Sequence, residues 1–256
     1  MTQCEVERFI REDGETIAYL KRVGKCPGVV WLGGFHSDMN GTKAQVLDAW
    51  AESRGRAYLR FDYFGHGASS GAFRDGTISR WRDDALAVLD RLCDCPQVLV
   101  GSSMGAWIAL LAARACPQKV AALLLLAPAV DFTEALIWAR MTPDLRREVM
   151  ERGSWQRPSA YGDGPYPITR ALIEDGRRHL LLDAPIRIDC PVHILQGMQD
   201  PDVPWQHALK LVEKLSGNPT LTLIKDGDHR LSTPEDLARI ARSLDAILAE
   251  EPFRNP

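Results

Sequence analysis

The fold of this chain can be predicted from one stretch, Val98-Leu-Val-Gly101-Ser102-Ser103-Met104-Gly105-Ala-Trp-Ile-Ala-Leu110. An apolar run ends at Gly101, and an alanine-rich, helix-like segment begins after Ser103. Residues 101–105 match Gly-x-Ser-x-Gly, a pattern in which the serine lies on a tight turn between a strand and a helix. Small residues two positions before and after the serine let the backbone pass close to its neighbours. The stretch therefore predicts a strand, a turn that exposes the Ser103 hydroxyl, and a helix whose N-terminus favours developing negative charge.

The rest of the chain repeats this alternation of strand and helix. Continuous apolar runs predict strands covered on both faces; they are Gly28–Gly33, Ala57–Phe61, Gln97–Val100, Val120–Leu126, Pro191–Leu195 and Thr220–Ile224. Apolar residues spaced by three and four predict helices; these are Thr42–Ser53, Ile78–Leu92, Ala106–Ala115, Pro204–Leu215 and Pro234–Ala249. Glu5–Ile10 and Thr16–Lys21 predict an opening β-hairpin. We expect an α/β domain with a mostly parallel central sheet and helices on both faces.

One long segment interrupts the alternation, between the strands that end near Ala127 and begin near Pro191. It contains two helix-like stretches, Phe132–Arg152 and Ile168–Leu182. Long insertions inside a compact domain are usually functional. We therefore divide the chain into an α/β core, residues 1–130 and 186–256, and an inserted small helical cap, residues 131–185, that covers the site.

Composition limits the classes of function. Apolar residues make up 45% of the 256 residues, charged residues make up 25%, and the net charge is −3 with no basic block. These values predict a globular protein that does not bind nucleic acid. The charged N-terminus and the lack of a long apolar run predict no secretory signal and no membrane span. We expect a cytoplasmic location, and the sequence does not indicate an oligomeric state.

The six cysteines show no disulfide-framework spacing. Cys93-Asp94-Cys95 lacks the second pair or the histidines that a zinc site requires. We therefore expect reduced, structural thiols, no metal site and no cofactor.

The base that would activate Ser103 is predicted to be His229, in Lys225-Asp-Gly-Asp-His229-Arg230. This loop follows the last predicted strand, and hydrolases with the Gly-x-Ser-x-Gly turn place their residues in the chain order serine, acid, histidine. Other histidines fall in a predicted strand, helix or cap, namely His193, His207 and His179.

The acid is predicted in Gln196-Gly-Met-Gln-Asp200-Pro-Asp202-Val-Pro204, where the spacing Gly-x-x-Asp-x-x-Val-Pro selects Asp200. We expect Asp202 to cap the helix that begins near Pro204. Asp131, after the preceding strand, and Asp202 itself remain alternatives for the acid.

Two backbone N–H groups are predicted to stabilise an oxyanion, that of Met104 after the serine and that of Phe35 in the loop Leu32–Met39. His36 and His66 are interpreted as loop residues with structural roles. In the cap, four apolar or aromatic residues are candidates for substrate binding, and the alternative is that they form the cap's own core. They are Trp138, Met141, Trp155 and Tyr161.

Taken together, the serine turn, the acid loop and the histidine loop make the chain resemble the α/β-hydrolase superfamily over nearly its whole length. Several pieces are similar to the acyl-glucuronide esterase and palmitoyl-protein thioesterase family and its bacterial relatives. They are Gly34-Phe-His-Ser-Asp-Met-Asn-Gly-Thr-Lys43-Ala44, Phe61-Asp-Tyr-Phe-Gly-His-Gly67, Gly101–Trp107, Gln196–Trp205, and the segment from Tyr166 through Pro185 to Pro191. We expect no mitochondrial presequence, and Gln196 stands where many relatives have histidine.

The resemblance implies a serine hydrolase that cleaves a small-molecule carboxylic ester or thioester through an acyl-serine intermediate, without a cofactor. A peptidase or a carbon–carbon bond hydrolase would use the same Ser-His-Asp triad and differ in the cap. A non-catalytic small-molecule receptor on the same fold is the alternative outside enzymes. The sequence does not identify the acyl group or the leaving group.

Overall fold

The computed structural model describes residues 5–158 and 164–249. Within those residues the main sheet has eight strands in the order β1-β2-β4-β3-β5-β6-β9-β10. Their bounds are β1 (Glu7–Ile10), β2 (Thr16–Arg22), β3 (Lys25–Leu32), β4 (Arg56–Phe61), β5 (Gln97–Ser102), β6 (Val120–Leu126), β9 (Val192–Gly197) and β10 (Thr220–Ile224). β1 and β2 are antiparallel to their neighbours, and the other pairs are parallel. The predicted hairpin and the mostly parallel sheet are confirmed.

Helices cover both faces of the sheet, as predicted. The α-helices of the described residues are α1 (Thr42–Arg54), α2 (Ile78–Leu92), α3 (Met104–Ala115), α4 (Pro143–Arg152), α5 (Arg170–Gly176), α6 (Trp205–Lys214) and α7 (Pro234–Ala249). α1 and α7 bury apolar residues on one face of the sheet, while α2, α3 and α6 pack on the other. In the described parts of the chain, no helix combines the length and the apolar character that crossing a membrane requires.

Side chains of the central strands alternate between the two apolar clusters. Val98 and Val100 of β5 pack with α1 and α7, whereas Leu99 packs with α2 and α3. β6 repeats the pattern, because Leu124 packs in the apolar cluster of α1 and α7, and Leu125 packs in that of α2 and α3. Successive residues of a strand point to opposite faces, so a strand that is apolar at every position needs helices on both sides.

The segment predicted as a cap differs from the prediction in its local structure. The predicted helix Phe132–Arg152 is three pieces, a π-helical turn (Thr133–Ile137), a 3-10 turn (Trp138–Arg140) and α4. Pro143 starts a new helix because proline suits the first helical position, and the Thr142 hydroxyl accepts the Leu145 N–H at 3.3 Å.

The second predicted cap helix, Ile168–Leu182, is also interrupted. Ile168 lies in a strand, β8 (Tyr166–Thr169), which pairs antiparallel with β7 (Ser154–Arg157). Helix α5 is short and is followed by a 3-10 turn. The segment therefore contains a β-ribbon beside its helices, and its role as a cap stays a prediction.

The expectation that all cysteines are reduced is wrong for one pair, since Cys26 and Cys95 form a disulfide with their Cα atoms 6.4 Å apart. Gly28 of β3 pairs with Gln97 of β5, so the residues two positions earlier lie side by side. The two cysteines are 69 residues apart in the sequence, so only the register between β3 and β5 shows that they are neighbours. Three other cysteines are free thiols, namely Cys93, Cys116 and Cys190; Cys4 lies outside the described residues.

Candidate active site

Ser103 lies on the turn between β5 and α3, with backbone angles of φ 54° and ψ −116°. This region is unfavourable for a residue with a side chain, and such strain is typical of functional sites. The two glycines of the motif are required by space. A Cβ at Gly101 would lie 2.4 Å from the Gly105 carbonyl oxygen, and a Cβ at Gly105 would lie 2.1 Å from that of Leu32. The motif thus permits a turn that presents the serine hydroxyl.

The structure brings Ser103, His229 and Asp200 together. His229 Nε2 lies 3.1 Å from Ser103 Oγ, and His229 Nδ1 lies 2.7 Å from Asp200 Oδ2. The three residues follow β5, β10 and β9, so they meet because the carboxyl ends of parallel strands share one edge of the sheet. The side chain of Asp200 is fully buried, and that of His229 is 16% exposed. This arrangement can transfer a proton from the hydroxyl to the imidazole.

The carboxylate of Asp200 is held by several donors besides the imidazole. Oδ1 accepts the N–H groups of Asp202 and Val203 at 2.9 and 2.8 Å. Oδ2 also accepts Gln196 Nε2 at 3.2 Å, and the Gln196 side chain is completely buried. These bonds orient the oxygen that faces His229.

The two alternative acids each contact other groups. The carboxylate of Asp131 accepts the N–H groups of Leu181 and Leu182 at 2.8 to 3.0 Å, and burial raises its pKa to about 6. Asp202 Oδ1 lies 3.6 Å from Arg157 Nη2. The expectation that Asp202 caps α6 is wrong, because the N-cap residue there is Pro204, which has no side-chain capping bond.

Among the described residues, the group that comes nearest to a metal site consists of Asp200, Asp202 and His229, whose ligand atoms all lie within 4.8 Å of one another. Asp200 and His229 are hydrogen-bonded to each other, and Asp202 contacts Arg157.

The loop after β3 passes close to Ser103, since a Cβ at Gly34 would lie 3.6 Å from that of Ser103. The predicted oxyanion donors Phe35 and Met104 both line the cavity in front of the serine. Met104 is the first residue of α3, where backbone N–H groups have no partner within the helix. The assignment of these two N–H groups as oxyanion donors stays a prediction.

His66 supports the same loop from behind. Its Nε2 accepts the His36 N–H at 3.3 Å, and its Nδ1 lies 3.1 Å from the Phe64 carbonyl oxygen. Burial lowers the pKa of His66 to about 4, so the ring is neutral near pH 7. A neutral ring can accept at one nitrogen and donate at the other, as these contacts require. The geometry agrees with the structural interpretation of His66.

A cavity of about 400 Å³ opens in front of Ser103, within the range of small-molecule sites. Apolar residues of the inserted segment form part of its wall, namely Phe132, Leu136 and Ile137. Tyr166 of β8 also lines the cavity and lies with its ring 5.5 Å from that of His36. Charged residues line other parts, namely Asp38, Lys43, Arg157, Asp202 and Arg230.

The substrate-binding prediction for the cap is corrected. Trp138, Met141 and Trp155 are not among the residues that line this cavity; Met141 is buried, and Trp138 and Trp155 pack against the same core. Arg146 and Arg177 lie over the Trp138 ring at 5.4 and 4.8 Å. Tyr161 lies outside the described residues.

Sequence reasoning missed Phe132, Leu136 and Ile137 because it assumed an α-helix here. In π-helical and 3-10 turns, successive side chains point in other directions than they would in an α-helix. A pattern of apolar residues shows that a segment is buried, and it does not show which residues face a cavity. Lys43 had a signal, since it belongs to one of the pieces on which the family resemblance was based.

Comparisons with known proteins agree with this architecture. The model of the alpha/beta hydrolase family matches residues 27–240. Human palmitoyl-protein thioesterase ABHD10, mitochondrial, is 38% identical over 240 residues, which are 93% of this chain and 78% of that protein.

Two solved structures are similar over nearly their whole length. Alpha/beta hydrolase domain-containing protein 10 from mouse has 35% identity and a TM-score of 0.89, covering 95% of this chain and 98% of its own. A chain from Agrobacterium vitis S4, described in general terms as a hydrolase, has 48% identity and a TM-score of 0.91, covering 96% and 99%. Because the family model spans most of the sequence and the human relative matches nearly all of it, this chain belongs to the alpha/beta hydrolase family.

Proposed function

We propose that this chain is a serine hydrolase that cleaves a carboxylic ester or thioester through an acyl-serine intermediate. The observation that carries the proposal is the hydrogen-bonded series Ser103–His229–Asp200 at the wall of a cavity of about 400 Å³. The names of the relatives support the bond class, since the human and mouse proteins belong to the ABHD10 group and the human one is named a thioesterase.

In the first half of the reaction, His229 Nε2 takes the Ser103 proton as the hydroxyl oxygen attacks the substrate carbonyl. The tetrahedral oxyanion is stabilised by the N–H groups of Phe35 and Met104, and each such donor contributes roughly 3 kcal/mol in comparable sites. The bond to the leaving oxygen or sulfur then breaks, and His229 returns the proton to the leaving group.

In the second half, water replaces the leaving group. His229 takes a proton from the water as its oxygen attacks the acyl-serine, and collapse of the second tetrahedral intermediate releases the acid and restores Ser103. Asp200 keeps the imidazole in the tautomer with Nε2 unprotonated and stabilises the imidazolium that forms in each half. No cofactor is needed for these steps.

The apolar part of the cavity supports an acyl group with a hydrocarbon portion. Phe132, Leu136 and Ile137 lie on the side formed by the inserted segment. Other lining residues are charged and carry both signs of charge, which is compatible with a polar leaving group. The proposal therefore covers esters and thioesters and does not select one substrate.

The test is hydrolysis of a panel of p-nitrophenyl esters from acetate to palmitate, acyl-CoA thioesters and an acyl glucuronide. We expect Ser103→Ala to lower turnover by about 10⁴- to 10⁶-fold while the protein stays folded. Turnover by the variant near the parent rate would contradict the proposal.

A fluorophosphonate probe separates the alternatives. Labelling without hydrolysis of any ester would favour a peptidase or a carbon–carbon bond hydrolase with the same triad. Absence of labelling in the folded protein would favour a small-molecule receptor. The cytoplasmic location also stays a prediction, because the human relative is named mitochondrial, and fractionation of the source cells would test it.

A further inference from the structure

The side chain of Lys43 has no part in the proposed mechanism. It lies in the first turn of α1 and lines the cavity. Its Nζ donates a hydrogen bond to the backbone carbonyl of Arg230, the residue directly after His229 and 187 positions away in the chain. We infer that Lys43 is a positioning residue for the catalytic histidine, because this bond fixes the turn that holds the imidazole beside Ser103. The inference rests on the proposed function.

The turn needs external support because its backbone is strained. Leu231, directly after Arg230, has a positive φ of 45° although it is not glycine. Such a conformation persists only when the surroundings hold it. Asp228 Oδ1 accepts the Leu231 N–H at 2.9 Å, and the Leu231 side chain is buried. Lys43 adds a bond from a separate element on the side of the cavity.

Helix α1 is a rigid support for that bond. Ala44 and Leu47, which follow Lys43 in α1, are buried in the same apolar cluster as Ile240 of α7. The bond from Lys43 therefore ties the histidine turn to a packed helix. A misplacement of about 1 Å in a catalytic group can lower a rate about 100-fold, so a fixed turn has a direct effect on turnover.

The charges around Lys43 favour a donor at this position. Burial and, to a smaller extent, the charge of Arg230 lower the pKa of Lys43 to about 8, while Asp228 and Asp236 of α7 oppose this shift. Near pH 7 the amine is mostly protonated, and the neutral amine formed at higher pH still has N–H donors. The bond to the carbonyl is therefore available on both sides of that pKa.

The experiment compares Lys43→Met with Lys43→Arg, which keeps a donor, and with the control Lys25→Met. Lys25 is an exposed residue at the start of β3, at the end of the sheet opposite the triad. We expect Lys43→Met to lower kcat about 10- to 100-fold with KM changed less than about threefold. The rate of fluorophosphonate labelling should fall in parallel, and Lys43→Arg should recover most of both rates.

Two results would overturn the inference. An increase in KM with unchanged kcat and unchanged labelling would make Lys43 a substrate-binding residue. Equal activity of Lys43→Met, Lys25→Met and the parent would show that the bond has no role. Should Lys43→Met not fold, the milder Lys43→Gln is judged by the same separation of kcat from KM. If the parent itself does not hydrolyse esters or label, the proposed function fails, and the inference about Lys43 fails with it.

Discussion

The two sides of the cavity are built in different ways. On the core side, the loops after β4, β9 and β10 carry polar groups that are hydrogen-bonded to other groups of the protein, as at Asp200 and His66. On the side of the inserted segment, an irregular stretch with a π-helical turn contributes the apolar residues Phe132, Leu136 and Ile137, and the β-ribbon contributes Arg157 and Tyr166. From this comparison we expect that the core side holds the proposed reacting groups in one geometry, while the inserted segment shapes the space for a substrate.

Two buried aspartates, Asp200 and Asp131, provide the strongest test of whether the reacting groups lie on the core side of the cavity. We expect Asp200→Asn to lower kcat about 10⁴-fold, because the amide would favour the wrong tautomer of His229. Asp131→Asn should leave kcat within about tenfold, since the Asp131 carboxylate binds the backbone of residues 181 and 182 instead of the imidazole. Steady-state kinetics on the best ester of the panel would measure both. The reverse ranking would assign the acid to Asp131.

The role of His66 in supporting the loop after β3 can be tested through the stability of the protein. Because burial lowers the pKa of His66 from 6.5 to about 4, the unfolded chain binds a proton at pH values where the folded ring does not. The neutral His66 ring makes its full contribution to the free energy of unfolding above about pH 6.5, and this contribution is lost as the pH falls towards 4. Between pH 7.5 and pH 5 the free energy of unfolding should decrease by about 2 kcal/mol more in the parent than in His66→Gln.

Denaturant unfolding at the two pH values measures that difference. A parent and variant with the same pH dependence would show that His66 is not a buried neutral ring. The core side would then be less rigidly organised than its hydrogen bonds indicate.

The smallest expected effect concerns the wall of the inserted segment. Leu136→Ala should raise KM about 3- to 10-fold for esters of long acyl chains, because it removes apolar contact area in the cavity, and kcat for short esters should not change. Trp138→Ala is the matched control, since Trp138 lies nearby in sequence and outside the cavity. An equal change of the chain-length profile in both variants would mean that the segment acts as a whole and that Leu136 does not contact the substrate.

The sequence by itself determined the α/β alternation and the positions of the serine, acid and histidine loops, and it made Asp200 the preferred candidate acid while Asp131 and Asp202 stayed open. It could do so because these features depend on local patterns. An apolar strand, a glycine-flanked turn and a fixed spacing each have a physical reason that is visible within about ten residues.

Only the tertiary structure decided which residues of the inserted segment face the cavity, that Cys26 and Cys95 are bonded, and that Lys43 contacts the turn of His229. Each of these depends on the register between strands or on the phase of an irregular turn. Register and phase are set by the packing of elements that are far apart in the chain, and the hydrophobic pattern of one segment contains no information about its partner.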